Sequence, residues 1–355
     1  MSYLHMTQNQ LAAYLPIAMK ADVVPFIIGE PGMGKSAIVK EIAEKENLEL
    51  IDLRLSQLMV YDLAGLISPD EHRTKAKYLP VDIFPLEGDD LPKGKSGYCL
   101  FLDEFNSADR TTLAGAYKLI LDRKIGDHNL HPNTRIICAG NRIKDNAITN
   151  RIGTAMQSRL VHIEMENSIK EFREYAEESN WDPIILSYFH FQPAMINTYK
   201  PEDAENVTTF ATSRTWEFLN KQLSLLLKQN DQDMIDTVIC GTIGEQAGTD
   251  FASYLRIFKD LPSLNDILTN PSTCKIPQDD NIGGKWAVSA FLADKFNQQT
   301  EKALVEYITR LNEPDLVVLA FRMAIKRYPL LARNAEVMQF VRGTNQLINQ
   351  TTFNP

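Results

Sequence analysis

Residues 29–36 read GEPGMGKS and follow directly on the apolar run VVPFII at 23–28. Gly29, Gly34, Lys35 and Ser36 satisfy the spacing G-x-x-x-x-G-K-[ST]. Glycines at that density let successive backbone N–H groups turn inward without Cβ clashes, which makes a concave anion nest. A helix starting at Lys35 would aim its unpaired N–H groups at the same point. Lys35 would neutralise charge on the β- and γ-phosphates of a nucleotide, and the Ser36 hydroxyl would ligate Mg²⁺. The candidate phosphate-binding stretch is therefore Gly29, Glu30, Pro31, Gly32, Met33, Gly34, Lys35, Ser36 and Ala37. The alternative is a glycine-rich turn without a ligand. The strand signal before the loop and the helix signal after it favour the phosphate site.

Phosphoryl chemistry also needs a metal partner and a group that activates water. LFLDEF at 100–105 offers both, since Asp103 and Glu104 end an apolar run. Ligands of open α/β sheets sit at that end of the strands. Asp103 is the candidate Mg²⁺ holder, acting through water. Glu104 points differently and is the candidate base for the attacking water. RIICAGN at 135–141 ends on Asn141, whose amide could orient that water and touch the γ-phosphate, or could simply close a strand-ending turn.

The elements that would hold these residues follow from hydrophobic pattern. Apolar runs at 23–28, 48–55, 98–105, 134–141 and 160–165 predict five strands, each buried on both faces. Helical periodicity falls between them, at 7–21 (with a Thr7–Gln10 capping box), 35–46 and 109–123. Strands alternating with helices imply a doubly wound, parallel five-stranded sheet with helices on both sides. Beyond residue 166 strand signals become rare. Helical patterns dominate at 168–179, 213–229, 231–240, 285–298, 300–311 and 315–327, and 259–284 reads as a loop or linker. Trp216, Phe218 and Leu219 read as core of this helical half. The organisation expected is an α/β domain at 1–166, a helical lid at 167–258 and a helical region at 259–355, with frayed last residues QTTFNP.

Composition sets outer bounds. The chain has 37 Lys and Arg against 46 Asp and Glu, a net charge of -9. That balance gives no general attraction to nucleic acid or anionic membranes, although a local basic groove remains open. No run of about 18 apolar residues occurs, so no membrane-spanning helix is expected. The N-terminus MSYLHMTQNQ lacks the basic and apolar regions of a secretory signal. Cys99, Cys138, Cys240 and Cys274 show no CxxC pairing, and Cys99 and Cys138 read as buried thiols. A cytoplasmic protein is expected. His128 and His131 in GDHNLHPN have a metal-like spacing but read as loop histidines.

GEPGMGKS, YCLFLDE and ICAGN, in that order, resemble the Walker A, Walker B and sensor 1 motifs of the AAA+ ATPases. The set looks most like the MoxR-like branch, related to midasin and to the nucleotide-binding part of McrB. DEFNSADRTTLAGAYKLILDRKIG resembles that branch's segment after Walker B, RKIGDHNLHPNTRIICAGN its hairpin insertion before sensor 1, and YLPVDIFPLEG the segment around its helix-2 insertion. The resemblance covers roughly residues 8 to 225. It implies a P-loop NTPase fold with an all-helical lid, ATP and Mg²⁺ as ligands, and a ring, usually a hexamer.

The resemblance also implies two arginines. Arg159 in AMQSRLVHIEM corresponds to the finger that reaches a γ-phosphate held by the neighbouring subunit, with Arg151 as its rival. Many relatives place an aspartate before the finger, where this chain has Ser158. Arg214 in TFATSRTWEFL corresponds to sensor 2, a nucleotide contact from the lid. By position at the end of the second strand, Arg54 could hold Glu104 away from water. The hairpin of this branch lies near the ring's central channel, which opens a contact role for Lys144 or the two histidines.

The function expected is Mg-ATP hydrolysis by a chaperone-like ring that remodels a protein partner, in this branch often a von Willebrand A-domain protein. A nucleic-acid motor resembling McrB and a nucleotide-gated scaffold with little turnover are the alternatives. ATP and GTP are not distinguished, because the loop reads phosphates and not the base.

Overall fold

The computed structural model describes residues 4–342 apart from 71, 73, 146–149, 151, 203–205, 258–260, 279, 280 and 294. Arg151, the side chain of Lys144 and the tail QTTFNP lie outside the described residues. The chain divides into two compact units, Met1–Ser168 and Ile169–Pro355.

The first unit opens with β1 (Leu4–Met6), α1 (Gln8–Lys20), β2 (Val24–Ile28), α2 (Lys35–Lys45) and β3 (Leu48–Arg54). A short α3 (Val60–Ala64) leads into a hairpin of β4 (Leu66–Pro69) and β5 (Ala76–Leu79). Then come β6 (Gly97–Asp103), α4 (Arg110–Leu121), a small hairpin of β7 (Lys124–Ile125) and β8 (His128–Asn129), β9 (Thr134–Gly140), α5 (Thr154–Gln157) and β10 (Leu160–Met165).

Six strands form one parallel sheet in the order β1-β10-β2-β9-β6-β3. The sequence pattern predicts five. The sixth, β1, is a three-residue edge strand lying in register with β10, Leu4 opposite Ile163. A segment that short has no periodicity to read. Burial on both faces also fails for β3. It is the other edge, and Glu49, Asp52 and Arg54 are exposed along it.

The two-residue alternation of the central strands sends successive side chains to opposite faces. Ile27, Phe101 and Ile137 pack with Leu11, Leu15, Ile38 and Val39 of α1 and α2. Their neighbours Phe26, Leu100 and Ile136 pack with Leu113, Ala116 and Leu119 of α4. Helices therefore cover both faces. The phosphate-loop candidates and the strand ends of β6 and β9 meet at one edge, because β2 and β6 both flank β9. Cys99 and Cys138 are buried free thiols in these strands, and burial pushes the Cys99 thiol up to about 12.

Helix α4 begins with a well-made cap. One Asp109 carboxylate oxygen accepts from the amides of Thr111 (2.7 Å) and Thr112 (2.9 Å). The Thr111 hydroxyl foremost, then the Thr112 amide, holds the carboxyl down at about 2. The folded value lies below the unfolded one, so the carboxylate's contribution is complete above about pH 4 and is lost as pH falls toward 2. Asp109→Asn keeps an amide cap and removes the charge. The Tm gap between wild type and this variant is expected to be widest above about pH 4 and to close on acidification; a gap independent of pH would remove the carboxylate from the account.

The second unit is helical: α6 (Ile169–Glu178), α7 (Pro183–Phe191), α8 (Ser213–Leu226), α9 (Gln232–Ile243), α10 (Glu245–Ile257), α11 (Leu264–Thr269), α12 (Ile282–Ala293), α13 (Glu301–Thr309) and α14 (Pro314–Arg327). One of its two apolar clusters centres on Trp216, Tyr188 and Phe251, the other on Phe321, Leu304 and Ile308. Trp216 and Leu219 are fully buried, whereas Phe218 is 50 % exposed. At 100° per residue, position 218 faces away from 216, which corrects the expectation that all three belong to the core. Helix α11 falls inside the stretch expected to be loop. Ser263 caps it, but six residues show too little periodicity to outweigh the surrounding Pro, Asn and Asp. Among the described residues no helix is long and apolar enough to cross a membrane.

Candidate functional site

Between β2 and α2 the chain turns through Gly32 at φ +78° and Gly34 at φ +90°. Only glycine adopts these angles without Cβ strain, and Gly34 is the residue at which α2 starts. The loop is braced by Met33, whose sulfur accepts from the Glu30 amide at 3.0 Å. Lys35 is 8 % exposed. Its ammonium donates to the carbonyls of Gly29 and Glu30, both at 2.8 Å, and to Asn141 Oδ1 at 3.4 Å. Pro31 and Ala37 lie within the same loop and first helical turn.

Ser36, one residue on, donates from Oγ to Asp103 Oδ2 at 2.8 Å. The other Asp103 oxygen accepts from the Glu104 amide at 2.8 Å. Both carboxylate oxygens are thus fixed at the end of β6. A hydroxyl and a carboxylate within hydrogen-bond distance form a hard, all-oxygen pair. That donor chemistry suits Mg²⁺, which takes few protein ligands and completes its shell with water and phosphate oxygens.

Glu104 departs from ordinary backbone geometry. Six non-glycine residues among those described have positive φ, and four of them are Asn or Asp, which tolerate it. Glu104, at φ +53°, is not of that kind. Strained backbone of this kind clusters at functional sites. Its side chain accepts a hydrogen bond from Ser56 Oγ. The expectation that Arg54 restrains Glu104 is corrected here: no ion pair or hydrogen bond joins the two among the described residues. Arg54 lies opposite Asp103 on the exposed strand edge, and its charge acts on Asp52. Two residues further along, the chain has left the strand for a 3-10 turn at Leu55–Gln57, which is what brings Ser56 to the glutamate.

Two contributors were not evident in the sequence. Asn106, 4 % exposed, donates from Nδ2 to the Asn141 carbonyl at 2.7 Å and accepts the Asn141 amide on Oδ1 at 3.1 Å. Arg142 gathers three carboxylates: Asp145 at 2.7 Å, Glu30 at 2.8 Å and Glu164 at 3.7 Å. Burial alone would lower this guanidinium, but the hydrogen bonds and charges of Asp145 and Glu30 outweigh it and push its pKa up. Arg142 thereby ties the phosphate loop, the turn after β9 and strand β10 together. Neither residue carries motif spacing. The available signals were a polar Asn directly after the apolar Phe105, and a basic residue directly after Asn141.

Lys35, Ser36, Asp103, Glu104 and Asn141 therefore share one edge of the sheet. Arg159 follows α5, exposed, and its guanidinium donates to the Ala155 carbonyl. Ser158 donates to the same carbonyl, so backbone rather than an acidic neighbour orients this arginine. Among the described residues Arg159 makes no ion pair. Arg214 belongs to the second unit, exposed in the first turn of α8. His128 Nε2 contacts the Tyr78 carbonyl at 3.1 Å, and His131 Nδ1 accepts the Asn133 amide at 3.1 Å, so the two rings have separate partners. A cavity of about 880 Å³ opens in the second unit, with Thr198, Lys200, Thr209, Asp236 and Gly244 on its walls; no phosphate-loop residue lines it.

No family model matches the chain. Among solved structures it is similar to a candidate ATPase from Cytophaga hutchinsonii, at 12% identity over 97% of this chain and 90% of that one, with a TM-score of 0.36. It is similar also to a lysine-to-arginine mutant of Thermotoga maritima RuvB, at 17% identity over 82% and 85% of the two chains, with a TM-score of 0.37. The third is the Thermotoga maritima RuvB Holliday junction branch migration motor, at 18% identity over 75% and 74%, with a TM-score of 0.33. These are distant likenesses, and the functional reading rests on this chain's own residues.

Proposed function

We propose that this protein hydrolyses ATP with Mg²⁺ at a site completed by a neighbouring copy of the chain in a ring, and that turnover drives the remodelling of a protein partner. The observation that carries the reading is the hydrogen-bonded convergence of Lys35, Ser36, Asp103 and Asn141 beside Glu104. The amides of the glycine-rich turn and the start of α2 would receive the β- and γ-phosphates. Lys35 sets its ammonium against their charge. Mg²⁺ held by Ser36 and Asp103 would neutralise phosphate charge as it shifts toward the leaving group. Asn141 orients the attacking water, and Glu104 takes its proton. The exposed Arg159, turned outward on a backbone carbonyl, suits a finger offered to the next subunit.

The partner reading rests on the resemblance to MoxR-like proteins, in which a von Willebrand A-domain protein is a common partner. The test is Mg²⁺-dependent phosphate release from ATP per subunit across a range of protein concentrations. Specific activity that rises with concentration supports a shared site. Activity that stays flat removes the ring from the reading, and no nucleotide binding at all removes the reading itself.

A further inference from the structure

Among the described residues, the Asn106 side chain makes its hydrogen bonds to the main chain of Asn141. It takes up both the amide and the carbonyl of that one residue, as a neighbouring strand would. Room for this exists because residue 140 is glycine: a Cβ there would stand 2.1 Å from Asn106 Oδ1 and 2.9 Å from its Cγ. Asn106 sits two residues beyond Glu104, inside the 3-10 turn Phe105–Ser107. That turn is pinned from both sides. Phe105 is fully buried and packs on Phe26 at 5.5 Å between ring centres. The Ser107 amide donates to the Glu104 carbonyl at 2.9 Å. On its far side, the Asn106 carbonyl accepts the Asn150 amide at 2.6 Å, and Asn150 Nδ2 donates to the Ala108 carbonyl at 2.7 Å.

We propose that Asn106 is a positioning residue: its side-chain amide clamps the backbone of Asn141, and so fixes the distance between the water-orienting amide of Asn141 and the base Glu104. The inference rests on the hydrolytic reading of the site. It adds a mechanical link that neither the acid pair nor the strand-ending amide contains. Without the clamp, Asn141, one residue past the end of β9, would keep its side-chain hydrogen bond from Lys35 but lose both of the main-chain bonds that Asn106 supplies. With it, a backbone shift at Glu104 is passed through one rigid turn to Asn141, and through Asn141 Oδ1 to Lys35. The side chain is 4 % exposed and bonds Asn141 through both of its polar atoms, so its proposed action runs through that residue.

The test is a double-mutant cycle in the full chain, reading kcat and KM for Mg-ATP, binding of a fluorescent ATP analogue, and Tm. Asn106→Ala is expected to lower kcat by about 10²-fold, the scale of a misplacement of about 1 Å, with KM and analogue binding little changed. Combined with Asn141→Ala it should cost no more than the worse single variant, because both remove the same function. Asn106→Asp guards against a folding defect in the alanine variant. It keeps the acceptor for the Asn141 amide but sets a carboxylate oxygen against the Asn141 carbonyl, and should lose kcat as well. Losses in kcat that multiply in the double variant, or an Asp variant with full turnover, would overturn the proposal while leaving the hydrolytic reading intact. A wild-type protein that neither binds the analogue nor releases phosphate would overturn both.

Discussion

Glu104→Gln is expected to lower kcat for ATP hydrolysis by about 10²–10⁴-fold, the range that a positioned general base supplies, and to leave nucleotide binding nearly intact. The substitution is isosteric and keeps the backbone at φ +53°, so Asp103 should still accept the residue-104 amide and Ser36 should still reach Asp103. Only the proton acceptor is removed. Single-turnover phosphate release and equilibrium binding of a fluorescent ATP analogue measure the two halves separately. Full turnover in the variant would mean that a different catalytic base activates water. The Ser56 contact makes a companion result available. Ser56 donates to the same carboxylate that must accept a proton from water. Ser56→Ala is therefore expected to raise basal turnover, by about fivefold if the bond is worth ~1 kcal/mol. Arg54→Ala, which breaks no contact to Glu104, has no such effect on this account.

The second large effect concerns Arg159. A finger arginine stabilises charge that exists only in the transition state, and its removal is expected to cost about 10³–10⁵ in kcat. Arg159→Ala should also bind nucleotide normally, since its guanidinium rests on the Ala155 carbonyl and not on the phosphate loop. The decisive measurement mixes the two inactive variants. If Glu104 and Arg159 of one site come from different subunits, random rings made from equal parts contain roughly one interface in four with both residues intact. Activity should then return to about that fraction of wild type. A mixture as inactive as its components would place both residues in one chain's site, or would deny Arg159 the role.

Much of the first unit is legible from sequence because its signals are local. The strands β2, β6 and β9 carry apolar runs; β6 ends on Asp103 and β9 runs into Asn141, polar residues that a two-sided buried strand cannot hold inside, while β2 runs into Gly29 of the loop. The loop at 29–36 is a spacing rule, and the backbone angle of Gly34 explains one of its two glycines directly. What escaped is non-local or too short. Asn106 and Asn141 are 35 residues apart and touch only because β6 and β9 are neighbours in the sheet. Arg142 draws its partners from Glu30 and Glu164, over a hundred residues away on one side and about twenty on the other. Helix α7, PIILSYFHF, is apolar on nearly every side and so has no period to detect. The hairpin of β4 and β5 is exposed throughout apart from Ser68, and its sequence alternates neither in charge nor in hydropathy. Ser56 took the role assigned to Arg54 because the chain bends out of the strand at Leu55, a change of direction that residue types alone do not announce.

The Arg142 cluster and Arg159 should respond differently to ionic strength. The three carboxylates around Arg142 belong to separate stretches of chain, and the group is largely out of water, with Asp145 fully buried. Salt screens such a knot weakly, whereas an exposed guanidinium reaching between subunits loses its hold over a Debye length of about 10 Å at 0.1 M. If Arg159 serves a neighbouring copy of the chain, raising salt should thus silence that cooperation well before it disturbs the phosphate loop. Concentrated buffer would leave a protein that still takes up nucleotide and no longer turns it over.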